Sequence, residues 1–436
     1  MKKPLARIKN GIEKIPGYNK AVLPVHKYRA FRAATKNDYP ASGIKVIGVT
    51  GTNGKTTTCF MIQKMLNEAG KKTGILSTIG YGVGDDIKAQ DEHMTTFNPM
   101  KLNKLIRELV NQDIEYLVLE LTSHAMAQYR AFGIPIDIAV ETNITHEHLD
   151  YHKTFKKYRE AKLKLFKQAS NTRDGKKIGI INADDPSVSL FKKSITNPIT
   201  YGIDNGDVQA RQVKLNGGAD YFVKYDGRKL HIKTQIPGIF NVYNSLTAVI
   251  VGIVYGLTNE QIEKGIYALD YVEGRMNRID EGQNFEVVMD FAHTPDSFEK
   301  LLPDMKKNAK GKLIVLFGSA GGRRDPSKRR PMGEIAGKHA DIVILTEEDD
   351  RETPGEEILD MIGKGAQNSG KKLDKNLFKI LDREKALEFA LKTAKKGDTV
   401  LLLGKGNEKT IERADGSHSW DEDAIARKIL KSLKKK

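Results

Sequence analysis

The stretch "VTGTNGKTTT" (49–58) sets glycines, a lysine and a run of hydroxyls between an apolar segment and one of helical periodicity. A strand, a glycine-rich turn and a helix N-terminus in that order make an anion cradle, because free backbone N–H groups and the positive end of the helix dipole converge there. Phosphate is the ligand this predicts. Strict P-loop spacing asks for glycine where Val49 stands, and glycines occur instead at Gly48 and Gly51. Even so, Lys55 falls where a lysine meets β/γ-phosphates, and Thr56 supplies the hydroxyl expected on Mg2+.

Further along, Glu120 ends the apolar run of "LVLELTSHAM", followed by Ser123 and His124. A carboxylate there suits a Mg2+ that bridges nucleotide phosphates, and equally a helix cap. His146, His148, Asp150 and His152 crowd the segment "THEHLDYH". With no cysteine nearby and no H-E-x-x-H spacing, they favour a Mg2+-nucleotide site over zinc. In "FKKYREAKLKLFKQA", Phe155, Tyr158, Leu165, Phe166 and Ala169 form one apolar helical stripe with Lys162 in its middle. Such a lysine either snorkels over apolar surface or changes its chemistry, since a buried ammonium would be repelled by Mg2+.

These groups need a scaffold. "KKTGILSTIG", "IEYLVLELTS", "DIAVETNI" and "KKIGIINADD" alternate with helix-length segments, which predicts a parallel sheet with crossover helices. Between residues 207 and 236 short alternating runs with glycine turns predict an antiparallel insertion. From about residue 273 the α/β rhythm restarts, and "VVMDFAHTPDS", "LIVLFGSAGG", "DIVILTEEDD" and "TVLLLGKGN" each end in polar residues, where open parallel sheets bind ligands.

Bulk properties narrow the class. A chain of 436 residues exceeds what one core supports, so two or three domains are expected. The single cysteine, Cys59, excludes an internal disulfide and fits a reducing cytoplasm. No apolar run approaches the ~18 residues of a membrane span, and the N-terminus lacks a signal peptide's apolar core. The net charge of +16 reads as scattered lysines plus the tail "KILKSLKKK", a solvated surface rather than a nucleic-acid site.

The segments GVTGTNGKTTT, LTSHAM, TNITHEHLDYHKT, INADD, GIFNVYNSLTA, EGRMN, DFAHTPDS, RRPMGEIA and GKGNE, in that order from about residue 44 to 425, resemble the Mur ligases. The likeness is greatest to their MurE branch, which adds the third amino acid of the peptidoglycan stem. It implies a P-loop central ATPase domain (44–272) with a parallel sheet, a C-terminal Rossmann-like α/β amino-acid-binding domain (273–436), and a short N-terminal segment (1–43). ATP would meet Gly51, Thr52, Asn53, Gly54, Lys55, Thr56, Thr57, Asn241, Asn244, Arg275, Asp290 and His293. Mg2+ would be held by Thr56, Glu120, His148 and a carbamylated Lys162, with Lys55, Lys162, His148 and Glu120 serving catalysis. The acceptor would meet Thr95, Thr96 and Ser123, and the amino acid Arg324, Asp349, Arg351, Gly404 and Glu408. Without the family context, Asn241 and Asn244 read as turn and helix-start residues, and Asp290 to Asp296 as a helix N-terminus.

The chain departs from the MurE pattern in places. Only 47 residues precede Gly48, too few for the family's UDP-gripping N-terminal domain. Glu348, Asp349, Asp350 and Arg351 replace a D-N-P-R-like motif, Phe97 ends the T-T-P pattern, and Asn407 replaces the histidine of G-K-G-H-E. The resemblance implies an ATP-dependent amide ligase acting as a cytoplasmic monomer on small molecules, namely ATP, an amino acid and a UDP-muramoyl-peptide acceptor, with a ligase on a non-UDP acceptor as the alternative. Folylpolyglutamate-, cyanophycin- and pseudomurein-type ligases and a non-catalytic nucleotide-binding regulator are the rivals. For the amino acid, meso-diaminopimelate is expected ahead of lysine, because Arg351 would meet a distal carboxylate that lysine lacks.

Overall fold

Val46, Ile47 and Val49 leave no surface exposed, so the strand Lys45–Thr50 (β1) takes the middle of a sheet covered on both faces. The computed structural model describes residues 18–90, 94–322 and 324–434. Around β1 lie Thr73–Leu76 (β2), Gly80–Val83 (β3), Asp86–Ala89 (β4), Tyr116–Glu120 (β5), Ile136–Glu141 (β6), Ile178–Asn182 (β7), Asn197–Gly202 (β8), Val208–Leu215 (β9), Ala219–Tyr225 (β10) and Arg228–Thr234 (β11). Their order is β11-β10-β9-β8-β7-β6-β1-β5-β2-β3-β4. From β9 through β2 the pairings are parallel, which requires the crossover helices that the sequence rhythm predicts.

Both flanks are antiparallel. The β9–β10–β11 meander is the expected insertion, and it extends the central sheet rather than standing apart. The β3–β4 hairpin on the other edge is not anticipated by the sequence reading. Its strands are four residues long, β3 contains two glycines, and β4 is largely exposed, so neither carries the apolar alternation that marks a strand.

A second sheet holds Asn277–Arg278 (β12), Glu286–Asp290 (β13), Leu313–Phe317 (β14), Ile342–Leu345 (β15), Leu377–Lys379 (β16) and Thr399–Leu403 (β17). Its order is β12-β13-β17-β14-β15-β16, parallel except for β12–β13, and a hairpin of Thr410–Arg413 (β18) and Gly416–Ser419 (β19) follows. The molecule is thus α/β throughout, with a large mixed sheet followed by a Rossmann-like one. The helix Ile239–Val254, buried at Asn241, Val242 and from Asn244 to Ile253, packs on the helix Lys55–Glu68 and fixes the loop before it. The short N-terminal segment 1–43 lies partly outside the described residues; from Tyr18 to Lys36 it is a helix whose Ala30, Ala33 and Ala34 are buried.

Candidate active site

The loop after β1 holds its shape through two glycines that a side chain would not fit. Gly51 has φ +153°, and a Cβ there would lie 1.8 Å from Thr142 Oγ1; Gly54 has φ +82°, and its Cβ would lie 2.5 Å from Asn244 Oδ1. The Asn53 N–H donates to Asn143 Oδ1 at 2.9 Å, and Thr52 Oγ1 lies 2.8 Å from the Tyr158 hydroxyl. The helix then begins at Lys55, whose Nζ arches back to donate to Thr52 O at 2.8 Å. Thr57 is buried in the first turn. This is the strand, turn and helix N-terminus that the sequence predicts for an anion cradle.

Thr56 Oγ1 donates toward both Glu120 oxygens, at 3.1 and 3.0 Å. Glu120 ends β5 and is 1% exposed, and it also accepts from the Thr78 N–H and hydroxyl, each at 2.9 Å. The helix-cap alternative fails, because Thr122 caps the helix Ser123–Ala127 through the Ala125 N–H. Thr78 reaches Thr95 at 3.1 Å, and Thr96 donates to Glu120 O at 3.0 Å. Ser123 lies behind this wall, buried and 3.0 Å from His152 Nε2.

Four aromatic or imidazole rings pack beside the carboxylate. His124 sits 4.8 Å from His148, 5.4 Å from His152 and 4.3 Å from Tyr151, centroid to centroid. Burial pushes the imidazoles down, to about 2 for His124, about 4 for His148 and about 3 for His152. All three are therefore neutral near pH 7. Imidazole 15N shifts are expected to show none of them protonating as the pH falls from 7.5 to 5; a histidine of this group titrating near 6.5 contradicts the packing. Glu147 lies 3.4 Å from His148 Nε2 and 3.2 Å from His293 Nε2. Burial alone raises its pKa, but His148, His293 and Lys55 outweigh that and hold it well below the carboxylate range.

Lys162 is 1% exposed and does not snorkel. Its Nζ donates to Gly51 O at 2.5 Å, on the underside of the phosphate loop, and sits 4.7 Å over the Tyr158 ring. Burial, then the Lys55 charge, depress its pKa well below the usual ammonium range. Among the described residues no group of three or more His, Cys, Asp or Glu is set to hold a metal. The hydroxyl of Thr56 and the carboxylate of Glu120 are hard oxygen donors at bonding distance of each other, and they fit Mg2+ completed by phosphate oxygens and water.

The second sheet faces this wall. Arg275 lies over the Phe291 ring at 4.3 Å and reaches Thr56 Oγ1 at 3.4 Å. Asp290, at the end of β13, accepts from the N–H groups of Met276 and Ala292 at 2.8 and 2.7 Å, and Asn53 donates to Asp296 at 2.9 Å. Asn244 donates to Asn241 at 2.9 Å while accepting from Thr58 at 3.2 Å. Arg324 is exposed. Beyond β15, Asp349 accepts from buried Lys405 at 2.9 Å and faces Arg351 at 3.4 Å, while Lys405 also meets Glu408 at 2.6 Å. Gly404, φ +103°, leaves room for Glu348, whose Oε2 a Cβ would approach to 2.7 Å.

Every candidate residue except Gly51, Ser123, His152 and Lys162 lines one cleft of about 1560 Å³ between the two sheets. Sequence reasoning missed other residues of the same wall. Thr78, Arg130 and Glu147 also face the cleft, and Arg130 donates to Thr96 O and Gln128. An isolated arginine in a turn and a threonine after a strand carry no periodicity that would mark them. Glu147 carried a different signal, its place inside the histidine cluster.

Residues 49–252 match the Mur ligase middle domain, and residues 274–406 match the Mur ligase glutamate ligase domain. The chain is 37% identical over 412 residues to the "UDP-N-acetylmuramoyl-L-alanyl-D-glutamate--2,6-diaminopimelate ligase 1" of Clostridium acetobutylicum, covering 93% of this chain and 82% of that one. A solved structure of a ligase of the same name superposes with a TM-score of 0.63 at 27% identity, over 94% of this chain and 82% of that one. Mycobacterium tuberculosis folylpolyglutamate synthase complexed with ADP superposes with a TM-score of 0.71 at 14% identity, over 86% and 91%, a likeness of fold. The chain belongs to the Mur ligase family of ATP-dependent enzymes that form amide bonds.

Proposed function

We propose that this ligase joins a diamino acid, meso-diaminopimelate ahead of lysine, to the carboxylate of a peptidoglycan-precursor peptide. One observation carries the reading: a phosphate loop whose Thr56 is bonded to Glu120 faces, across a single cleft, the arginines Arg324 and Arg351. The ATP-binding part is residues 44–272 and the amino-acid-binding part 273–436, after a segment of 43 residues. The lone buried Cys59 supports a place in the cytoplasm.

A carboxylate resists an amine because the anion is a poor electrophile, so ATP activates it. The acceptor carboxylate attacks the γ-phosphorus and ADP leaves, giving an acyl phosphate; the amine then adds, and phosphate departs as the amide closes. Gly51 to Thr57 hold the phosphates through backbone N–H groups, and Lys55 swings from Thr52 O to meet the transferred group. Asn241, Asn244, Asp290, His293 and Arg275 line the nucleoside and α-phosphate end. When bound at Thr56, Glu120, His148 and a carbamylated Lys162, Mg2+ supplies positive charge against the phosphates. Thr95, Thr96 and Arg130 position the acceptor, with Ser123 supporting them from behind through His152. Neutral Lys162 is suited to carbamylation, since an unprotonated amine attacks CO2, forms an N–C bond and releases a proton.

Arg324 clamps the α-carboxylate of the amino acid, and Arg351 meets its distal carboxylate. Arg351 is held for this by its backbone: φ is +53° and its N–H donates to Glu412 O at 3.0 Å. Arg351→Ala is expected to raise the KM for diaminopimelate by roughly 10- to 100-fold, the loss of one charged hydrogen-bonding group, and to leave lysine use little changed. Unaltered diaminopimelate kinetics, or lysine as the better substrate of the native enzyme, refutes this assignment. The ligase reading itself is tested by phosphate release over a panel of acceptors, with and without UDP, crossed with amino acids. Turnover that needs no amino acid marks a nucleotide-binding regulator instead.

A further inference from the structure

The net charge of +16 is not spread evenly. The first 37 residues hold ten Lys and Arg against one acid, Glu13, a net +9 in less than a tenth of the chain. No carboxylate lies between Glu13 and Asp38 to neutralise them. Within this segment the helix Tyr18–Lys36 packs through Ala30, Ala33 and Ala34, next to the helix Pro99–Val110, and turns its other side outward. On the outward side Val25, Tyr28 and Phe31 are 45%, 64% and 48% exposed. Lys27, Arg29, Arg32 and Lys36 are exposed around them.

At ~100° per residue, Val25, Tyr28 and Phe31 fall within an arc of about 120° centred on Tyr28. Arg32 falls inside that arc, between Tyr28 and Val25, while Arg29 and Lys36 border it on one side and Lys27 on the other. Single exposed apolar residues need no explanation, but a ridge of three framed by cations on one helix does. From this arrangement we infer that the outward face of the helix Tyr18–Lys36 binds an anionic membrane surface. The cations meet lipid phosphates, while Val25, Tyr28 and Phe31 enter the headgroup layer, as in helices that lie in the interface without spanning it. No helix among the described residues is long and apolar enough to cross a membrane, which an interfacial contact does not need.

Other occupants fit less well. A second copy of the chain would bring two faces that each carry Lys27, Arg29, Arg32 and Lys36 together and be repelled. A nucleic acid asks for a groove that follows its backbone and for aromatic faces on which bases stack, whereas this face is a convex helix and Val25 has no π-face. A planar, fluid, anionic surface accepts a convex helix and spread cations alike. The Phe31 ring packs edge-on against Phe132 at 6.3 Å, two residues from the cleft-lining Arg130. Attachment here therefore places the Thr95, Thr96 and Arg130 end of the cleft toward the membrane.

Co-sedimentation of the full chain with vesicles tests this, using phosphatidylcholine alone and phosphatidylcholine mixed with phosphatidylglycerol, at low and high salt. The protein is expected to sediment with the mixed vesicles at low salt only, and not with the neutral ones. The double change Arg29→Glu and Arg32→Glu should weaken binding on the order of 100-fold or more. Val25→Ser, Tyr28→Ser and Phe31→Ser together should weaken it on the order of 10-fold at unchanged charge. All these side chains are exposed, so an unchanged thermal midpoint and unchanged nucleotide turnover report that the variants fold. Failure to bind mixed vesicles at low salt overturns the inference, as does retention on single-stranded RNA in place of vesicles. Binding that survives the apolar triple change undiminished also overturns it, since charge attraction alone would then account for the contact.

Discussion

Lys55→Ala is expected to lower turnover by at least ~100- to 1000-fold, the cost of removing one preorganised group from a site where charge develops in the transition state. The fold should survive. Lys55 is half-buried, and among the described residues its side chain hydrogen-bonds to Thr52 O alone, within its own loop. The loop is held instead by hydrogen bonds of Asn143, Thr142 and Tyr158 with Asn53 and Thr52. Steady-state phosphate release and a thermal melt separate the two effects. A variant that melts like the native enzyme and turns over at a comparable rate would sink the phosphate-site reading.

Much of this site was legible in the sequence because its groups sit at the ends of strongly patterned elements. Strands β1, β5 and β13 are apolar runs that stop at a loop, at Glu120 and at Asp290, and in parallel sheets those carboxyl ends face the ligand. Lys162 was legible as a violation, one cation in an apolar stripe. What stayed hidden depends on tertiary contact. The β3–β4 edge pairs through backbone groups that any residue supplies, and Thr78 becomes a partner of Glu120 only because β2 lies beside β5. Ser123 shows the converse: its place beside Glu120 in the chain suggests the cleft, but the helix it opens turns its hydroxyl toward His152. The charge holds a feature of a different kind. A chain-wide total hides its position, and only the helix Tyr18–Lys36 shows that basic residues and apolar ones share a face.

The Lys162 side chain gives the second large effect. An ammonium at this place would be without a carboxylate at bonding distance among the described residues: its Nζ is bonded to the Gly51 carbonyl, and Glu147, Glu141 and Glu120 act on it only through space. Burying an unpaired cation costs several kcal/mol, roughly, so the amine is kept neutral instead. A neutral amine beneath the phosphate loop has two fates. Left unmodified, it is a hydrogen-bond donor that braces Gly51; carbamylated, it becomes an anion suited to a divalent cation. The two differ in observable ways. Carbamylation is expected to add 44 Da, about the mass of CO2, in native mass spectrometry and branched density beyond Nζ in a crystal structure, and activity should rise with added bicarbonate. Lys162→Ala should then lower turnover by ~100-fold or more, with the thermal midpoint shifted far less than an equivalent cavity in the apolar stripe would shift it. Lys162→Gln, which keeps a donor near Gly51 O but accepts no CO2, decides between the fates. Near-native turnover in that variant shows that bracing the loop is the whole role of Lys162, and inactivity with an intact fold shows that the carbamate is required.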